Sequence, residues 1–192
     1  MLLKWLCFFA VALGSPGTAN AQAFGIKLGD RIQNYKVLNG DRNFFEVSPP
    51  IPHEEMSNYF VITSPQGEIC SIAGNTRPIS GDYTGTQTRK TYNAIKDALI
   101  RRYTNPSSEY DFIKSDATFS QKSNFRQSIE DNSRTLSSYW LADDGADLPP
   151  PLIGIGLEVS AIPSGSYVSI KYEAENTETC RSAYNNERDA GL

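Results

Sequence analysis

Hydrophobic and polar positions alternate with a period of two along two stretches near the C-terminus. Ile153, Ile155, Leu157, Val159 and Ala161 fall on one side of the first. Val168, Ile170 and Tyr172 fall on one side of the second, Tyr167 to Glu175. Pro163-Ser164-Gly165-Ser166 stands between them, so the pair predicts a long hairpin with one buried face. Arg134 to Leu141 alternates too, with Leu136, Ser138 and Trp140 on one side. The acidic, proline-rich stretch Asp143 to Pro151 then reads as a loop. In the first half, Tyr59–Thr63 and Glu68–Ala73 flank the turn Ser64-Pro65-Gln66-Gly67 and predict a second hairpin, with Cys70 in its second strand. Tyr35–Leu38 and Phe44–Val47 are short strands around Asn39-Gly40-Asp41, whose residues accept positive φ. Prolines 49, 50 and 52 lack a ladder donor and make 48–52 an extended connector.

The period changes to a helical one between Asp82 and Tyr103. Tyr92, Ile95, Leu99 and Tyr103 share one face, while Lys90, Lys96, Asp97 and Arg101 occupy others. Asn105-Pro106 ends the helix, because the residue before proline resists the α region. A weaker helix is predicted over Ser120–Asp131 around Phe125 and Ile129, and Asn176 or Thr177 caps a final one running to about Arg188. The fold class expected is α+β: antiparallel sheet or sheets of short strands and hairpins, with two or three helices. Strands, a hairpin and a helix near 35–103 recur near 134–188. Residue identity between the halves is poor, so the recurrence reads as common α+β pieces. A single domain over 24–192 is expected, with a two-part organisation, 24–105 and 133–192, as the alternative.

The N-terminus changes the picture by adding a compartment. Lys4 is the only charge before Lys27, Trp5–Leu13 is apolar, and small residues lead to overlapping A-x-A sites at Ala19-Asn20-Ala21 and Ala21-Gln22-Ala23. This is the pattern of a cleaved signal peptide over 1–23 and of a periplasmic or secreted protein. The apolar run is about half of the roughly 20 residues that span a bilayer, and no later segment is longer. Cys7 leaves with the leader, so Cys70 and Cys180 alone remain, in an oxidising compartment, and are expected to form one disulfide. Closing a loop of about 110 residues contributes at most about 4–5 kcal/mol in the chain-entropy description. A net charge of −4 gives no general pull toward nucleic acid or anionic lipid.

Three short stretches carry a likeness: Phe24-Gly25-Ile26-Lys27-Leu28-Gly29, Gly67-Glu68-Ile69-Cys70-Ser71-Ile72, and Tyr167-Val168-Ser169-Ile170-Lys171-Tyr172-Glu173 followed by Cys180. In these the chain resembles a set of exported proteobacterial proteins of unassigned function. The resemblance implies export and the cysteine pair, and no chemistry.

Candidate chemistry is sparse. His53 is the only histidine, and it sits between Pro52 and Glu54 in the connector, where it reads as an exposed loop residue with no G-x-S-x-G serine to serve. A zinc site needs His53 together with cysteines that the disulfide already uses. Carboxylate-pair hydrolysis needs two acids about 5–10 Å apart across a cleft. Asp143, Asp144, Asp147, Glu54 and Glu55 are available, all in loops. Asp143-Asp144-Gly145-Ala146-Asp147 lacks the alternating acids and terminal Glu of a calcium loop. Gly154-Ile155-Gly156 opens a strand where a dinucleotide fingerprint must open a helix. Arg89, Lys90, Arg101 and Arg102 give one helix a basic side that reads as solvated.

The functional expectation is a non-enzymatic exported domain that binds an unknown protein or envelope component, without nucleic acid, membrane span, metal or cofactor, and with no catalytic residue assigned. The alternative is a small carboxylate-dependent hydrolase of cell-wall glycan. The intact mass of the exported protein is expected to place its first residue at Gln22 or Phe24; retention of residues 1–20 would overturn the leader.

Overall fold

The computed structural model describes residues 21–189, with side chains through 183. Residues 1–20 of the expected leader lie outside this range. The described chain opens with a small hairpin, β1 (Gln22–Ala23) and β2 (Ile26–Lys27), and a 3-10 turn at Ile32–Asn34. A four-strand meander follows: β3 (Lys36–Asp41), β4 (Phe44–Ser48), β5 (Met56–Thr63) and β6 (Ile69–Thr76). Next come α1 (Thr86–Tyr103), β7 (Ser108–Ile113), α2 (Phe119–Ser123) and α3 (Phe125–Glu130). The chain then runs through β8 (Arg134–Leu141), β9 (Leu152–Ile162) and β10 (Gly165–Ala174) to α4 (Thr177–Asp189).

The eight longer strands form one antiparallel sheet in the order β3-β4-β5-β6-β10-β9-β8-β7, so the fold is α+β as expected. Each half is a four-strand meander followed by a helix, and the halves meet at β6 and β10. The recurrence read from the sequence is thus limited to strand order: two four-strand runs meet edge to edge within one sheet. Among the described residues no helix is long and apolar enough to cross a membrane.

The long hairpin has the predicted pairing from Ile155 onward, whereas Ile153, expected on the same side, is exposed and Leu152 is buried in its place after a register shift at Glu173/Ala174. Val159 stands opposite Val168, Leu157 opposite Ile170 and Ile155 opposite Tyr172, and all six are buried. Strand alternation puts these residues on one face. The row continues through Ile72 and Val61 on one side and Trp140 on the other. α1 packs on β9 and β10 and buries Thr88, Tyr92, Ile95, Leu99 and Tyr103. Each large side chain so buried contributes about 1.5–3 kcal/mol. Two large polar side chains on this face are bonded: Tyr92 Oη lies 2.6 Å from Ser138 Oγ, and Trp140 Nε1 donates to the Thr104 carbonyl at 3.0 Å. Burial pushes the Tyr92 phenol up to about 12.

α1 begins at Thr86, four residues later than predicted, because the loop before it is spent on capping. Asp82 Oδ2 accepts from the Thr88 backbone N–H at 2.7 Å and from its hydroxyl at 2.8 Å, which satisfies one of the free N–H groups of the first turn. Gly85 is left-handed, with φ +76°.

The first apolar segment is a hairpin rather than a simple run. Phe24 and Gly25 at its turn both have positive φ, and the Phe24 ring wedges edge-on against Tyr59 and Tyr172, with centroids 4.9 and 6.0 Å away. Gly74 makes room, since a Cβ there would sit 3.0 Å from Phe24 Cζ. Gln22 and Ala23 belong to β1, and Ala23 is buried. Of the two expected starts, Gln22 keeps this strand and Phe24 removes it.

Two further expectations need correction. No strand was expected in the middle of the chain, yet β7 pairs with β8 along its whole length. The single helix expected over Ser120–Asp131 is two short ones. The chain leaves helical geometry at Asn124 (φ −121°, ψ 102°), whose side chain accepts from the Gln127 N–H and so starts a new helix.

Cys70 and Cys180 are bonded, with Cα atoms 6.7 Å apart and both residues buried. α4 packs on β5 and β6, and Thr177 Oγ1 donates to the Cys70 carbonyl at 2.6 Å. Arg181 reaches Glu173, the neighbour of inward-facing Tyr172, so α4 serves the face opposite α1.

Gly81 and Gly85 give a matched test of the α1 junction. Both have positive φ, but a Cβ at Gly81 meets nothing within 4 Å while one at Gly85 lies 2.3 Å from the Phe125 ring. Gly81→Ala is expected to cost about 1 kcal/mol from backbone strain alone. Gly85→Ala should cost about 1–3 kcal/mol more from overpacking. Urea midpoints compare them, and equal shifts would show that Phe125 does not press on this turn.

Candidate functional site

The sequence candidates do not converge. His53 holds its own turn: its N–H donates to Tyr59 Oη at 2.7 Å, and its Nδ1 accepts from the Glu55 N–H at 3.2 Å. It also borders a cavity of about 290 Å³ between the N-terminal hairpin and α1, lined by Phe24, Ile51, Met56, Leu99, Ile170 and Arg102 among others. No serine, cysteine or carboxylate lines that cavity, so His53 has no nucleophile or acid beside it. Asp143 and Asp144 lie in a 3-10 turn after β8, with Asp147 in the loop beyond. Neither this cavity nor the groove described below is lined by them or by Glu54 or Glu55. Among the described residues no group of three His, Cys, Asp or Glu side chains is spaced to hold a metal.

The basic side of α1 is not simply solvated. Arg89 makes a two-pronged bond to Asp111 at 2.6 and 2.9 Å, and Lys96 bonds Glu109 at 3.0 Å. The Arg89 guanidinium holds the Asp111 carboxyl below its usual range. Arg102 donates to the Gln22 carbonyl at 3.2 Å and covers the Tyr103 ring. These cations fasten α1 to β7 and to the N-terminal hairpin.

The other face of the sheet is different. Thr135, Ser137 and Tyr139 on β8, Glu158 and Ser160 on β9, and Tyr167 on β10 alternate with the buried residues and so point away from α1. These six residues line a polar groove of about 390 Å³, together with Glu130 and Asn132 at the end of α3. On β7 beside them, Tyr110 and Phe112 are 45 % and 46 % exposed. Cross-strand pairing sets Asn75, Ser169, Glu158, Ser137 and Tyr110 in one row over five strands, β6-β10-β9-β8-β7.

Tyr139 organises the middle of this face. It stands opposite Gly156, where a Cβ would lie 3.5 Å from its ring and 3.8 Å from Glu158 Oε1. With no side chain beneath it, the ring lies across the strand, and its hydroxyl donates to Glu158 Oε1 at 2.7 Å. Tyr110 meets it edge-on at 6.1 Å. Burial and then the bond to Glu158 raise the Tyr139 pKa, with the nearby Ser137 hydroxyl offsetting part of the effect.

The same row carries two buried polar atoms, Ser137 Oγ and Asn75 Oδ1, that make no hydrogen bond of normal geometry. Leaving such a group unsatisfied costs about 1–3 kcal/mol. A third atom of this kind, Tyr103 Oη, belongs to α1.

None of the groove residues was a sequence candidate. The available signal was the G-x-G of β9: Gly154 and Gly156 clear space for Leu141 and Tyr139 on the neighbouring strand. Comparison of the chain with protein-family models, curated proteins and solved structures finds no match.

The Tyr139–Glu158 bond has a direct test. Glu158→Gln removes the negative charge that resists ionisation of Tyr139, so the Tyr139 pKa is expected to fall toward that of free tyrosine. A ¹³Cζ NMR titration of the tyrosines reads it. An unchanged Tyr139 curve would show that the carboxylate does not face the hydroxyl.

Proposed function

We propose that this protein is a non-catalytic recognition domain of the bacterial envelope, exported through its leader, which binds its partner on the sheet face opposite α1. The observation that carries the reading is the polar row Asn75-Ser169-Glu158-Ser137-Tyr110 with its two unsatisfied buried atoms. A buried polar atom without a partner has a cost that packing alone does not repay, and two of them in one surface row give that row a use beyond solubility. Exposed aromatic rings beside such a row suit contact with another molecule. The buried disulfide and the resemblance to exported proteins support the compartment.

A carboxylate-dependent hydrolase is the second reading, favoured by Glu130 and Glu158 lining one groove from separate elements. Against it, both acids are engaged, Glu130 by Arg126 and Glu158 by the Tyr139 hydroxyl. Glycoside hydrolysis requires one carboxyl to be a free proton donor.

Co-sedimentation of the purified protein with isolated envelope fractions tests the proposal. The wild type is expected to pellet with at least one fraction, and a Tyr110→Ala/Tyr139→Ala variant with unchanged thermal midpoint to stay in the supernatant. Equal pelleting of both proteins would overturn the assignment to this face. Release of new reducing ends from the pelleted material, abolished by Glu158→Gln, would overturn the non-catalytic reading.

A further inference from the structure

We propose that the groove on the open sheet face binds a neutral glycan, with linked sugar rings laid along the Asn75–Tyr110 row and one ring face resting on Tyr139. This rests on the reading of the face as a recognition surface and names the ligand class.

The chemistry of the lining selects the class. Side chains on a sheet face must do the recognising there, because the strand backbones are already paired within the sheet. The groove offers short hydroxyls at Thr135, Ser137 and Ser160 and the Glu158 carboxylate, and the row beyond it adds Ser169 and the amide of Asn75. Hydroxyls both donate and accept, an amide does the same through two atoms, and a carboxylate accepts twice. A sugar ring presents the matching set, several hydroxyls that each donate and accept. With strands about 4.8 Å apart, a five-strand row extends for about 19 Å, long enough for several linked rings.

The aromatic surface fits the same ligand. The Tyr139 ring lies across the strand over Gly156, with its hydroxyl turned aside to Glu158. The electron-rich face of such a ring attracts the polarised C–H groups on one side of a sugar ring.

Other classes fit less well. Nucleic acid needs an array of cations against its phosphates. The arginine that borders the groove, Arg134, is spent on Ser128 and on the Phe125 ring. Lys171, beside the groove, is paired with Glu173. A peptide is read from a surface through pockets for its side chains, and the apolar residues that border this groove, Ile129, Leu136 and Val159, are themselves buried and leave a mainly polar lining.

The test is a backbone-amide NMR titration of the full exported chain with chitotetraose, with peptide-free glycan strands from the cell wall, and with a wall stem pentapeptide. Either glycan is expected to shift amides of β7–β10 around Ser137, Tyr139 and Glu158. Tyr139→Ala should weaken that binding at least tenfold, and Tyr139→Phe, which keeps the ring and loses the bond to Glu158, less. Ser137→Ala is a second variant that leaves the ring in place, and it should weaken binding severalfold. Shifts at the groove with the pentapeptide alone would overturn the glycan assignment and leave the recognition face standing. Glycan shifts confined to the cavity near His53 would overturn both. No shift with any of the three probes would overturn the glycan assignment, with co-sedimentation then deciding the face separately.

Discussion

The ladder between β6 and β10 joins two meanders that are far apart in sequence, and every other layer is built on it. α1 rests on β9 and β10 of the second meander, while Phe24 of the N-terminal hairpin leans on Tyr59 of β5 in the first and on Tyr172 of β10 in the second, so the core beneath them spans the seam. Such long-range pairing carries a loop-closure cost that local contacts do not. The Cys70–Cys180 bond, spanning 110 positions, leaves β6 close to the end of β10 even in the denatured chain and lowers that cost. The staple therefore acts on the junction of the two halves as much as on α4.

The two faces of the sheet meet opposite requirements. The α1 face is packed, and most of its polar groups are bonded, as Tyr92 with Ser138 and Asp82 with Thr88 show, with Tyr103 Oη the exception among the described residues. The opposite face is partly covered by α4 at β5 and β6 and open along β7 to β9. Its unsatisfied atoms, Ser137 Oγ and Asn75 Oδ1, lie in the row that crosses the open part. Folding leaves those two atoms unpaired, and the recognition proposed for this face would be what uses them.

How much of this was legible from the sequence depends on what each residue is for. The hairpin of Ile155, Leu157, Val159, Val168, Ile170 and Tyr172 was legible in register because one face is wholly apolar, and a period-two pattern then has a single solution. Cys70 and Cys180 were legible by elimination. β7 was not, because its inward positions are Glu109 and Asp111. They meet Lys96 and Arg89 of α1 in place of a hydrophobic core, so no apolar period marks the strand. The break at Asn124 was hidden because Phe125 and Ile129 keep helical spacing on its far side. The groove was hidden for a deeper reason. Thr135, Ser137, Tyr139, Glu158 and Ser160 are the polar half of alternating strands, and a solvated face and a binding face have the same alternation. Only the cross-strand register, which sequence periodicity does not contain, brings them into one row.

Tyr139 shows how that register would serve the proposed recognition. Its neighbours along β8 are fixed from the other side of the sheet, Ser138 by Tyr92 and Trp140 by the Thr104 carbonyl. Its own hydroxyl is fixed by Glu158, and Gly156 opposite lets the ring lie flat. Backbone and ring are thus positioned before any ligand arrives, so little ordering entropy remains to be lost on contact. The alternation of the strand also separates two roles that are often entangled. Changes at Ser138 or Trp140 disturb the core beneath α1, while changes at Tyr139 or Ser137 alter the surface above it. The binding proposed for this face is therefore separable from folding by substitution at adjacent residues of a single strand.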